Sequence, residues 1–125
     1  MAAAQPQSLE LDIIGVGIVT TLEREIPVKA VTYVTFSEPR RTSYSVALPE
    51  QTLTFTGGED AWADKTHYTL TLDSVVSLSA QGVKDMPAVG SCQMEISLDA
   101  TVVRAVQCRA TTEAGPISLK FEPGG

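Results

Sequence analysis

The residues best equipped for chemistry cluster in one stretch, 57–67. It holds the only tryptophan, Trp62, the only histidine, His67, and three carboxylates, Glu59, Asp60 and Asp64. A lone histidine can serve as a general base, but a hydrolytic triad also needs a nucleophile and an orienting group within reach. No G-x-S-x-G elbow supplies that nucleophile. Asp60 and Asp64 could offer oxygen to a calcium ion, yet their spacing matches no standard calcium loop, and one histidine cannot build a zinc site. Gly15 and Gly17 lack the third glycine and the following helix of a phosphate loop. These residues point away from catalysis, and no cofactor or metal is expected. Residues 59, 60, 62, 64 and 67 form instead a candidate binding loop. Trp62 is there an anchor for a partner or a sugar ring, because aromatic side chains dominate binding energies. The plainer alternative folds Trp62 back to cap one end of the core.

The second constellation is the cysteine pair, Cys92 and Cys108. Residues 92–98 alternate apolar and polar side chains, and the largely apolar run 102–108 follows after a short polar break. That pattern is a β-hairpin. Opposing Cys92 to Cys108 also opposes Met94 to Val106, Ile96 to Arg104 and Leu98 to Val102. One face then collects Cys92, Met94, Ile96, Leu98, Val102, Val106 and Cys108, with Arg104 as the one misfit, while Val103 and Ala105 fall on the other face with the polar residues. A slip of one residue would turn one strand's apolar set to solvent. Directly opposed residues lie close enough for a disulfide. No C-x-x-C motif suggests redox work. A structural disulfide implies the periplasm or the cell exterior. The Ala-rich start of residues 1–7 is consistent with a processed secretory protein, the signal peptide having been removed. A cytoplasmic protein with a polar tail is the alternative.

The surrounding elements must position these groups. Residues 8–22, 28–36, 42–48, 52–56, 66–79 and 117–121 carry the alternation or β-branched enrichment of strands. Gly15 and Gly17 mark a bulge, bend or close backbone approach. Residues 59–65 have mild helical character, and residues 81–90, with glycine and proline, read as a connection. Residues 38–41 read as a turn that exposes Arg40 and Arg41. About eight strands with turns at short intervals make an antiparallel all-β domain over residues 8–121, between tails at 1–7 and 122–125. Uneven strand lengths favour a Greek-key, immunoglobulin-like β-sandwich; a small closed β-barrel is the alternative.

The 125 residues carry a formal charge of −6. An acidic chain repels a phosphate backbone, so nucleic acid is excluded as a partner, and an anionic membrane surface is disfavoured. No apolar run is long enough to span a bilayer as a helix. The function expected is therefore a non-enzymatic, exported binding or structural module of the cell envelope, acting through protein–protein contacts. A barrel carrying a small apolar ligand is one alternative, and it requires a cavity lined by Ile, Val, Leu and Met. A secreted hydrolase inhibitor, entering its target with residues 1–7 or 59–65, and a virion structural domain are others.

Overall fold

The computed structural model describes residues 8–37, 40–99 and 102–123. The tail at 1–7, the tip of the turn at 38–39 and the hairpin tip at 100–101 lie outside them. Nine strands form among the described residues: β1 (Ser8–Thr20), β2 (Glu25–Ser37), β3 (Arg40–Ala47), β4 (Gln51–Gly57), β5 (Glu59–Trp62), β6 (His67–Ser79), β7 (Gly82–Ile96), β8 (Val103–Thr112) and β9 (Gly115–Pro123). All pairings are antiparallel, in the order β4-β3-β2-β1-β9-β8-β7-β6-β5, and β4 pairs with β6. That last pairing closes eight strands into a barrel, with β5 as an addition.

The all-β class is therefore found, and of the two architectures the closed barrel replaces the preferred sandwich. Uneven strand lengths misled because the long β6 serves two neighbours. Its Ser74–Ser79 half pairs with β4 and its Tyr68–Thr71 half with β5. Closure removes every open edge from the eight-strand wall.

Alternation along each strand turns one residue in two towards the barrel axis. Side chains in register then form rows across the wall. Tyr33, Tyr44, Phe55, Val75 and Met86 make one row over β2, β3, β4, β6 and β7. Leu70, Cys92, Cys108, Leu119, Val19 and Ile26 make another over β6, β7, β8, β9, β1 and β2. Apart from the partly buried Tyr33, these residues are buried, and all belong to a single core cluster. Each fully buried aliphatic or aromatic side chain contributes about 1.5–3 kcal/mol, so the rows dominate stability.

The Cys92–Cys108 disulfide lies within the second row, its Cα atoms 3.9 Å apart and both residues fully buried. The expected register holds from Cys92 to Glu95, which lies opposite Ala105. It then shifts: Ile96 faces Val103, not Arg104. The bulge corrects the one misfit of the sequence reading. Val103 packs against the core and Arg104 turns to solvent, because an unpaired buried guanidinium costs far more than a local break in the ladder. Leu98 and Val102 are accordingly not on the buried face; they are 80% and 55% exposed.

Three other segments differ from expectation. Residues 59–65 are not helical, since Glu59–Trp62 is strand β5. Residues 82–90 are not a connection but the first part of β7, and only Gln81 of the expected connection lies in a turn. Glu122 and Pro123 belong to β9 rather than to a tail. The expected irregularity at Gly15 and Gly17 is present. The β1–β2 register shifts there, and a Cβ at Gly17 would meet the Lys120 carbonyl oxygen at 2.5 Å and the Phe121 ring at 2.7 Å. The missing side chain lets β9 approach and lets the buried Phe121 lie over the gap.

Candidate functional site

Gly57 is where the wall divides. β3 and β4 pair up to Thr42 and Gly57, after which the chain leaves β3 and continues along β6 as β5. A Cβ at Gly57 would sit 1.9 Å from the Thr71 carbonyl oxygen, so only glycine lets the strands cross this closely. Beyond this point β5 has β6 as its sole strand neighbour among the described residues.

Pairing with β6 sets the direction of each β5 side chain. Asp60 lies opposite the fully buried Leu70, and Trp62 opposite the buried Tyr68, so both share the inward side. Glu59 and Ala61 lie opposite Thr71 and Thr69 and are exposed. With no β3 in front of it, Trp62 stays 52% exposed, its ring 5.1 Å from that of Tyr68 at a tilt of 54°. It therefore does not cap a closed core; it stands on the rim, backed by Tyr68. Tyr33 meets Tyr68 and Tyr44 nearly edge-on, at 6.3 Å and 5.3 Å. Four aromatic rings thus run from the rim into the interior.

A polar line accompanies them. The Tyr68 hydroxyl donates to Oδ2 of Asp60 at 2.5 Å and lies 3.3 Å from Oγ1 of Thr42, which in turn is 2.9 Å from Oγ1 of Thr35. Burial, and then the bond to the Asp60 carboxylate, push the Tyr68 phenol well above its ordinary range, so it remains the donor. Burial does the same to Tyr44, whose hydroxyl, inside the barrel, has no partner among the described residues.

The remaining candidate residues form a separate unit in the turn after β5. The Thr66 amide and hydroxyl both donate to Oδ1 of Asp64, at 2.8 Å each. Nδ1 of His67 lies 3.0 Å and 3.1 Å from the two Asp64 oxygens. The Thr66 amide, then His67 and the Thr66 hydroxyl, hold the Asp64 carboxyl below the usual carboxylate range. Asp64, with a weaker contribution from Glu95, raises His67. The turn is tied down by an Ala63 amide bond to the His67 carbonyl and an Ile96 amide bond to the Thr66 carbonyl. His67 also borders a groove of about 420 Å³ on the outer wall with Thr69, Gln93, Glu95 and Gln107.

The five candidate residues thus divide three ways. Asp60 and Trp62 share the rim, Asp64 and His67 brace the turn, and Glu59 faces outward. Asp60 and Asp64 engage different partners and do not converge. Tyr33, Tyr68 and Thr42 were absent from the sequence-based set. They lie in other strands, and only the alternation that turns them inward hinted at their place. Arg41, expected in a solvated turn, is held by Asp73, its two terminal nitrogens 3.0 Å and 2.6 Å from the carboxylate oxygens.

The chain matches no protein-family model, no curated protein and no solved structure.

Proposed function

We propose that this chain is an exported, non-enzymatic binding module that engages a protein partner through the Trp62 end of its barrel. The observation that carries the reading is a half-exposed tryptophan on a short strand continued beyond the barrel wall, braced from behind by Tyr68. Large, rigid, partly solvated aromatics are the usual anchors of interfaces. A scaffold with its core filled in rows holds such an anchor in one geometry, which lowers the entropic cost of association. The buried disulfide supports an oxidising compartment, hence the periplasm or the exterior.

The interior rows consist of packed side chains, which favours this reading over a carrier of an apolar ligand, since an eight-stranded barrel is just wide enough for its own side chains to fill. The carrier reading retains one feature, a cavity of about 300 Å³ at the opposite mouth, bordered by Leu22, Leu53, Met86 and Ile117.

The test is site-specific photocrosslinking in the native host. A photoreactive phenylalanine analogue at position 62 is expected to give one discrete protein adduct, and the same analogue at the exposed Val89, away from the rim, none. Equal adducts at both positions, or none at 62, would remove the reading.

A further inference from the structure

We infer that the mouth of the barrel opposite Trp62 binds a small neutral apolar molecule, a hydrocarbon body carrying a single hydroxyl or carbonyl group. This site stands apart from the protein-binding reading and goes beyond it.

The cavity follows from the strand register. Val46, Leu53, Ser77 and Lys84 are in register across β3, β4, β6 and β7, two residues nearer the turns than Tyr44, Phe55, Val75 and Met86. Alternation turns both sets inward. Every member of the deeper row is buried. In the row at the mouth Ser77 is small, and Lys84 runs its stem outward to a side chain left 64% exposed. The space above the buried Leu53, Met86 and Ile117 measures about 300 Å³. Ligand sites start at about that volume and recur in the mouths of β-barrels.

Leu22 supplies the outer wall. It is a large apolar side chain left 69% exposed. Its turn is closed by the Thr21 amide donating to the Arg24 carbonyl at 2.9 Å, and an Arg24–Glu50 ion pair at 3.0 Å ties it to the connection between β3 and β4. The side chain lies over Gly115, where a Cβ would meet its Cδ1 at 2.4 Å. An apolar guest covers this held, solvated leucine, and removing apolar surface from water drives binding.

The polar groups set the class of guest. The Ser77 hydroxyl donates to Oε1 of Gln51 at 2.6 Å, and the Gln51 carboxamide nitrogen carries donors for one acceptor on the guest. Lys84 lies 3.7 Å from Glu113, and Arg24 is paired to Glu50. A carboxylate guest would have to displace Glu113 from Lys84. An ammonium guest would have to leave water for the exposed Glu23. Burying a charge so weakly paired is costly, whereas a neutral guest incurs no such penalty.

The chain has three methionines; Met86 lies in the cavity wall, and Met94 is buried further along the same strand, towards the other end. Methyl NMR of the methionine-labelled full chain therefore reads the site and an internal control together. The probe is 1-hexanol, with hexanoate and hexylammonium as charged controls of the same length. Hexanol is expected to shift the Met86 methyl saturably and leave Met94 in place, and affinity is expected to rise about fourfold per methylene from 1-butanol to 1-hexanol. Both charged controls are expected to bind at least tenfold more weakly. Ser77→Leu, which fills the cavity, is expected to abolish the shift. Leu22→Ala, at an exposed position that leaves the core intact, is expected to weaken binding about threefold or more. No saturable shift at Met86, or equal shifts at Met86 and Met94, overturns the site. Hexanoate or hexylammonium binding as tightly as hexanol overturns the neutral class. Neither result bears on the crosslink at position 62, so the two readings fail separately.

Discussion

The Tyr68 hydroxyl reaches Oδ2 of Asp60 at 2.5 Å, joining the added strand β5 to a side chain of the barrel core. Because Tyr68 is buried and its phenol stays protonated, the bond runs one way, from hydroxyl to carboxylate. Tyr68→Phe keeps the ring under Trp62 and removes only the donor. A hydrogen bond to a charged group contributes about 1.5–3 kcal/mol, and partial exposure of Asp60 places the expected loss towards the lower value. Urea unfolding measures it. An unchanged midpoint would mean that β5 is not held by this bond in solution.

The disulfide acts on the wall, not on the rim. Cys92 and Cys108 lie in a row with Leu70 and Leu119, and neither touches solvent. Closing a loop of 16 residues in sequence separation restricts the unfolded chain by about 3 kcal/mol in the chain-entropy model. Replacing both cysteines by alanine is expected to lower stability by about that amount and to leave the protein adduct from a photoreactive residue at position 62 unchanged. A variant that folds normally but no longer binds would tie the bridge to the site and contradict this division.

The contrast between these two features explains what was legible in the sequence. The register of Cys92 and Cys108 was legible because two strong constraints, period-two burial and a bond between the two sulfurs, select the same alignment. It failed at Ile96 because alternation alone assumes an unbroken ladder, and the cost of burying Arg104 breaks it. β5 escaped detection because Glu, Asp and Ala are poor strand formers; pairing to β6, not propensity, makes it a strand. The start of β7 carries turn-type residues, but Pro87 falls at the register shift between Leu72 and Ser74, where a missing amide is tolerated. Closure depends on β4 meeting β6, a pairing between segments whose local pattern suits a sandwich equally well. Trp62 and Asp60 could be singled out by type, but their common side depends on the pairing of β5 with β6, and the place of Tyr33 near Tyr68 on the closure of the wall.

Gly57 is the point at which the wall hands one strand over to another, and it tolerates no side chain. An alanine Cβ there would collide with backbone, the Thr71 carbonyl oxygen, rather than with the end of a flexible side chain. Gly57→Ala is expected to cost at least about 1–3 kcal/mol, the usual range for overpacking. Because β5 begins two residues later, the same change should shift Trp62 emission towards that of a solvated indole before global unfolding. Alanine accepted with no change in midpoint or emission would show that the strands do not cross this closely.

The turn after β5 carries a pH dependence whose sign follows from its two partners. His67 is raised above its ordinary 6.5 by Asp64 and, across the β6–β7 pair, by Glu95. Its contribution is complete below 6.5 and is lost as pH rises through the raised value. Asp64 is lowered from its ordinary 3.8, so its contribution is present above 3.8 and lost as pH falls through the lowered value. The clamp over Asp64, Thr66 and His67 is therefore tightest between about 3.8 and 6.5 and loosens first on the alkaline side. Both side chains are largely exposed, so the effect belongs to the turn rather than to global stability. An NMR titration of the single histidine is expected to give a midpoint above 6.5 that moves down in Asp64→Asn, while amide exchange at Ala63 quickens as pH passes that midpoint, beyond the intrinsic rise of exchange with pH. A midpoint at or below 6.5 in the parent protein would mean that His67 and Asp64 are not paired, and would leave the turn held by the Thr66, Ala63 and Ile96 hydrogen bonds.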